Sequence, residues 1–349
     1  MRLGKRAFLW SALASLALVA AACSDVSSSS TAAGGGTVPD NSGTTVNFSI
    51  SPWDGSAANV AVAEYLLKNQ LGYSVGDKDI DEYAQFKALA NGDLDATLEV
   101  WPSGHAADYK KYIATDNGVV DGGPLGITGR IGWYIPTYML QDHPELATWE
   151  GLKQDATLFK TADSGDAGQI LDGAPSYVTY DQTIADNLGL NLKVAYAGSE
   201  AAELTELDTA YQDQKPILMY FWTPHWAHAK YDLTQIKLPT VSDQCKQIYS
   251  TGDNADQYNC DYPPDTLYKA FNDQLATKAP AAFAFLSAMQ WDDQAQDGVG
   301  ADIHDGMDPQ EAAKKWVDAN QSVWQPWVDA GMAAQSGSPV ANASPSPAA

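Results

Sequence analysis

Residues 81–101 read DEYAQFKALANGDLDATLEVW. The run is a helix that stops at Asn91-Gly92, where glycine takes the left-handed backbone that closes helices, and it resumes as a strand over Ala96–Val100. Upstream, TVNFSISPW (45–53) alternates apolar and polar residues like a strand, AANVAVAEYLLKNQLGY (57–73) has helical spacing, and YSV (73–75) begins a second strand. Strand, helix, strand, helix, strand predicts an α/β fold. Such a fold is a mostly parallel sheet flanked by helices, and ligands sit at the carboxyl ends of its strands. Trp101 lies at one of those ends.

Downstream, the Gly- and Pro-rich DGGPLGITG (121–129) precedes a strand GWYIPTYM (132–139), and PILMYFW (216–222) is a further strand. A crossing between two lobes is expected near residue 130 and the return at IKLPTV (236–241). Helical patterns then dominate in TLYKAFNDQLA (266–276), PAAFAFLSAMQW (280–291) and the amphipathic EAAKKWVDANQSVWQPWVDAGM (311–332). The stretch between the two ends is about twice a typical domain. The expected organisation is lobe 1 over 45–130 plus 239–335 and lobe 2 over 131–238. A hinge of two strands and a cleft would lie between them.

The ends fix the compartment. Arg2, Lys5 and Arg6 precede the apolar run AFLWSALASLALVAA, and small residues lead to Cys23. This predicts a secretory signal over residues 1–22, too short for a spanning helix, cut before a lipidated Cys23. Residues 23–44 read as a flexible Ser/Gly/Thr tether and 336–349 as a disordered tail. The expected location is outside the cell, anchored by lipid to the outer face of a bacterial cell membrane. The remaining cysteines, Cys245 and Cys260, are expected to pair as a structural disulfide, because exported chains keep such bonds and no C-x-x-C redox spacing occurs. The formal net charge of -24, from 44 acidic and 20 basic residues, argues against a nucleic-acid partner.

Four aromatic stretches stand out: SPWDGS (51–56) with Trp53, EVWPSGH (99–105) with Trp101 and His105, GAPSYVTYD (173–181) with Tyr177, and YFWTPHW (220–226) with Trp222. In two of them an apolar strand finishes in tryptophan and a proline cuts the ladder within two residues, because proline has no N–H to donate. The indole is left at the strand end, facing the cleft. Methylated cations suit such rings. A quaternary ammonium has no N–H to satisfy, and each ring face contributes about 0.5–2 kcal/mol of the roughly 8 kcal/mol that micromolar binding requires. A ligand carboxylate would be held by His105, the Thr179 hydroxyl and the backbone amides after Tyr177, at Val178. Trp53 and Tyr134 are candidates for a fourth wall. The alternative for each ring is burial as core filler. Trp226, Trp316, Trp324 and Trp327 are read as packing.

Together VWPSGH, PTY, AGSEAAEL, YFWTPHW and GYSV with GDLDATLEVW resemble the glycine betaine/choline substrate-binding proteins of ABC importers, from about residue 45 to about 335. The resemblance implies a two-lobed periplasmic-binding-protein fold of type II, with the ligand in the interlobe cleft. It also implies an aromatic box for trimethylammonium, delivery to a permease with a separate ATPase, a monomer, and no catalysis. Carried over by motif, Trp101 and Trp222 resemble box tryptophans, and His105 resembles a carboxylate ligand. Tyr177 takes the place of a tryptophan that some members carry in a P-G-W-G-C loop, and this departure leaves the choice among glycine betaine, choline, carnitine and proline betaine open.

Other function classes leave weaker traces. A sulfonium osmolyte would suit the same rings, whereas an amino acid needs hydrogen-bond acceptors around its ammonium. An exported hydrolase would need a nucleophile, and the sequence offers no G-x-S-x-G elbow and no thiol beyond the expected pair. His225 and His228 have H-x-x-H spacing, but no carboxylate or cysteine follows at ligand spacing, so no metal is expected. No cofactor is expected either.

Overall fold

The structure, a computed structural model, describes residues 38–337. The expected signal, Cys23, most of the tether and the end of the tail lie outside these residues. Within them the strands are β1 (Asn41–Ile50), β2 (Tyr73–Asp79), β3 (Ala96–Val100), β4 (Val119–Pro136), β5 (Gly168–Asp172), β6 (Leu192–Tyr196), β7 (Met219–Thr223), β8 (Leu233–Gln235) and β9 (Asp265–Asn272). Side by side they run β2-β1-β3-β9-β4-β7-β5-β6, with β8 also on β4. The trio β2, β1, β3 is parallel, and so is the trio β7, β5, β6. Strands β9 and β4 join antiparallel between them. The expected parallel sheet therefore holds for the outer strands of each half and becomes mixed where the halves meet.

Strand β4 belongs to both halves. Through Gly129 it pairs with β9, and from Arg130 it pairs with β7. The stretch 121–129 is thus strand rather than a break before one, with register irregularities on either side of Pro124 that absorb the missing N–H. A second difference concerns 266–276. The expected helix is β9 as far as Asn272, and its Leu267, Lys269, Ala270 and Phe271 are fully buried. A central strand hidden on both faces loses its alternation, so its apolar run reads like a buried helix. The tether also ends earlier than expected, because Asn41 already pairs with Tyr73.

The helices cover the sheet as the periodicity requires. Asp54–Leu71 stops at Gly72 (φ 70°) and Gln85–Asn91 at Gly92 (φ 77°), both in the left-handed region that glycine enters without a Cβ clash. The amphipathic run 311–332 divides at Asn320 into the helices Pro309–Ala319 and Gln321–Gln335. Its tryptophans pack as expected: Trp316 and Trp327 stack with centroids 6.1 Å apart, and buried Trp324 donates to the Val317 carbonyl. Cys245, in the helix Asp243–Thr251, is bonded to Cys260, and that helix lies against the helix Pro102–Asp108. Among the described residues no helix is long and apolar enough to cross a membrane.

Candidate functional site

The carboxyl ends of β1, β3, β5 and β7 converge, and the residues that follow or finish them surround one cavity. Its lining comprises Trp53, Glu82, Trp101 and Gly104 from the first half, and Ile131, Tyr177, Val178, Tyr220 and Trp222 from β4 onward. Counted with its opening to solvent, the space between these residues is ≈ 370 Å³. Five aromatic rings make most of the wall. Tyr177 meets Trp53 edge-on with centroids 5.8 Å apart and Trp222 edge-on at 5.8 Å, while Tyr220 lies 6.0 Å from Trp222. All five are buried and pack with the main hydrophobic core, and each also borders the cavity.

Strand register decides which rings face inward. Ile131 is opposite Trp222 and Trp133 is opposite Tyr220, so these four share one face of the β4–β7 pair. Tyr134 is opposite Met219 on the other face, where its ring meets Phe221 and His228. The expectation of Tyr134 as a wall is therefore corrected by parity. Tyr220 takes a wall position instead. The signal for it was present, because Tyr220 stands two residues before Trp222 in one strand.

Both first-half indoles are pinned by one carboxylate. Trp53 Nε1 and Trp101 Nε1 donate to Glu99 Oε1 at 2.8 and 3.0 Å. Asn59 Nδ2 and Gln296 Nε2 donate to Glu99 Oε2 at 2.6 and 2.8 Å, and Asn59 Oδ1 accepts from Trp291 Nε1. Burial pushes the Glu99 carboxyl up to about 7, against the pull of these four donors. A negative charge at the N–H edge of two indoles makes their faces more electron-rich toward the cavity. Glu99 is not among the expected site residues, although an acid inside the buried run ATLEV is an anomaly that demands partners.

Gly129 supplies the room for Trp101. A Cβ at this position would stand 2.2 Å from the Trp101 ring, so the indole lies flat against the backbone of β4 at the point where β4 passes from one half to the other. Tyr177 reaches across in the opposite direction. Its hydroxyl donates to the Pro52 carbonyl at 3.0 Å, beside Trp53. Two more contacts join the halves: Glu200 Oε2 accepts from Asp54 N at 2.7 Å, and Trp226 Nε1 donates to Asp54 Oδ2 at 3.0 Å. A carboxylate at the amino end of the helix Asp54–Leu71 also meets the favourable end of the helix dipole.

The polar groups expected to hold a carboxylate are otherwise engaged. His105 is buried outside the lining, with Nε2 2.8 Å from Glu82 Oε1 and Nδ1 3.0 Å from Asp108 Oδ2. Burial would lower its pKa, but the two carboxylates outweigh it and raise the imidazole to about 9. Thr179 Oγ1 donates to Asp172 Oδ2 at 3.1 Å. Val178 does border the cavity, and its amide donates to Glu82 Oε2 at 2.9 Å. Glu82 lies in the short helical turn Glu82–Ala84, outside the four aromatic stretches, so no motif marks it.

The two histidines of the H-x-x-H spacing have structural partners. His225 Nδ1 accepts from Ala227 N, so Nε2 carries the proton toward Glu200 Oε1, and burial lowers the pKa of this neutral ring to about 3. His228 Nε2 meets the Trp222 carbonyl, which steadies that wall from behind. Trp226 packs on His304 with centroids 4.3 Å apart. Among the described residues no group of three His, Cys, Asp or Glu is placed to hold a metal.

Residues 44–319 match the family described as the substrate binding domain of ABC-type glycine betaine transport systems. The trimethylamine N-oxide-binding protein of Pelagibacter ubique is 27% identical over 266 residues, covering 74% of this chain and 82% of that protein. The glycine betaine/proline betaine-binding periplasmic protein of Salmonella typhimurium is 26% identical over 286 residues, covering 76% and 84%. Among solved structures, an ABC-transporter choline binding protein in complex with choline superposes with a TM-score of 0.65 at 21% identity, covering 84% of this chain and 97% of that one. At that identity the likeness speaks for the fold.

Proposed function

The chain belongs to the substrate-binding family of ABC-type glycine betaine transport systems, and from that premise we propose that it captures a trimethylammonium compound in the five-ring cavity for delivery to an ABC permease. It is a binding protein and not an enzyme. The observation that carries the proposal is the convergence of Trp53 and Trp101 from one half with Tyr177, Tyr220 and Trp222 from the other on a single space. A methylated cation there meets ring faces on several sides and gives up no N–H hydrogen bond to water. Relatives support the ligand class, since their names specify glycine betaine, proline betaine and trimethylamine N-oxide.

We assign residues 45–130 with 239–335 to one lobe and 131–238 to the other, which the change of partner along β4 supports. Closure of the lobes would be read by the Tyr177 hydroxyl on Pro52 and by Glu200 and Trp226 on Asp54. The chain acts outside the cytoplasm as a monomer. Cys23 would carry the lipid that holds it to the membrane, and residues 24–40 would form the tether. Isothermal titration with glycine betaine, choline, carnitine, proline betaine and trimethylamine N-oxide tests the binding reading. Micromolar binding of at least one is expected, with loss of at least about a hundredfold in a Trp101→Ala, Trp222→Ala double variant. Equal binding by parent and double variant would overturn it.

A further inference from the structure

We propose that the ligand carries a trimethylammonium group and no carboxylate, and that Glu82 is the residue that sets this limit. The inference rests on the ring cavity being the ligand site. The two groups suited to receive a ligand carboxylate, the His105 imidazole and the amide after Tyr177, both bind Glu82 instead: Oε1 lies 2.8 Å from His105 Nε2, and Oε2 accepts from Val178 N at 2.9 Å. The protein thus places its own carboxylate where a betaine would place its carboxylate. Glu82 is itself buried and borders the cavity.

The other sites at which a carboxylate would be welcome are filled in the same manner. At the start of the helix Pro102–Asp108, Asp265 takes both Ser103 N (3.1 Å) and Ser103 Oγ (2.6 Å), and Gly104 N bonds to the Trp101 carbonyl. The Thr179 hydroxyl donates to Asp172. The lining contains no lysine, arginine or histidine. His105, beside the lining, faces Glu82 and Asp108 together, two carboxylates against one imidazole. Behind the rings stand further carboxyl groups rather than cations: Asp172 and Glu203 act on both Tyr177 and Tyr220, and Asp181 acts on Tyr220. A zwitterionic betaine would set a second carboxylate against Glu82, itself buried, where like charges discriminate strongly. Choline brings a cation and a hydroxyl, and that hydroxyl can donate to Glu82.

Titration of the wild-type chain with choline and with glycine betaine needs no variant and reads the inference directly. Choline is expected to bind at least about tenfold more tightly than glycine betaine. Glu82→Gln and Glu82→Ala are expected to narrow that ratio by at least about fivefold, with glycine betaine gaining affinity as the Val178 amide and His105 are released. Glycine betaine binding as tightly as choline, or a ratio unchanged in folded variants, overturns the inference and leaves the box reading intact. If no trimethylammonium compound binds the wild-type chain, the box reading fails and the inference with it.

Discussion

Trp101 owes its pose to two neighbours that touch it in different ways, the backbone of Gly129 under its ring and the Glu99 carboxylate at its N–H. Gly129→Ala would place a Cβ 2.2 Å from the ring and must displace the indole. The expected outcome is a loss of ligand affinity of at least about tenfold with circular dichroism unchanged, checked by titration calorimetry. Glu99→Gln keeps the shape but replaces one acceptor by a donor facing Trp53, Trp101, Asn59 and Gln296. With the two buried donors on that oxygen deprived of their acceptor, the chain should lose at least about 1–3 kcal/mol of stability, seen in a urea melt, and binding should weaken as the indoles loosen. Tyr177→Phe keeps the ring and removes the hydrogen bond to Pro52. A modest loss, about 1 kcal/mol or fivefold in affinity, is expected.

At the scale of elements, β4 is the strand on which the site depends, because it pairs with β9 up to Gly129 and with β7 from Arg130. The wall from the first half and the wall from the second are thus held in fixed register along one backbone. The helix Asp243–Thr251 supports this from the side, packed on the helix Pro102–Asp108 that begins beside Trp101. Its bond from Cys245 to Cys260 closes a loop of 15 residues. Replacing both cysteines by serine should lower the unfolding free energy by about 3 kcal/mol, measured by denaturant titration with and without the bond. Alternation made β1 legible in the sequence, and the tryptophan and proline that end their apolar runs marked β3 and β7. β9 was not, since a strand covered on both sides carries no polar face for the eye to find.

For the whole molecule the buried acids set the response to pH. Burial raises Glu99, Glu200 and Asp265 each to about 7, and it raises Asp172, whose neighbour Asp181 pushes further in the same direction. A carboxyl whose folded value exceeds its unfolded one contributes stability that is fully present below the unfolded value near pH 4, and that stability is lost as pH rises through about 7. His105, raised to about 9, acts in the same sense, and its contribution fades as pH climbs from 6.5 to about 9. Lys269 and His225, lowered to about 7 and about 3, act in the opposite sense but are fewer. The melting temperature should therefore rise as pH falls from about 8 to about 5.5, and discharge of a net charge of -24 adds to the effect. Differential scanning calorimetry across that range checks the sign.

By itself the sequence determined the α/β alternation, the glycine helix stops, and the tryptophans stranded at strand ends by a following proline. These features are encoded within a few residues of one another, where backbone sterics and side-chain period act directly. Five of the expected ring and amide positions, Trp53, Trp101, Tyr177, Val178 and Trp222, therefore border the same cavity. Only the tertiary structure decided which way Tyr134 points, because that depends on the partner strand. It also decided that Glu82 meets His105 and Val178, 23 and 96 residues away along the chain. A buried carboxylate must find its donors wherever packing brings them, and no local spacing records that choice.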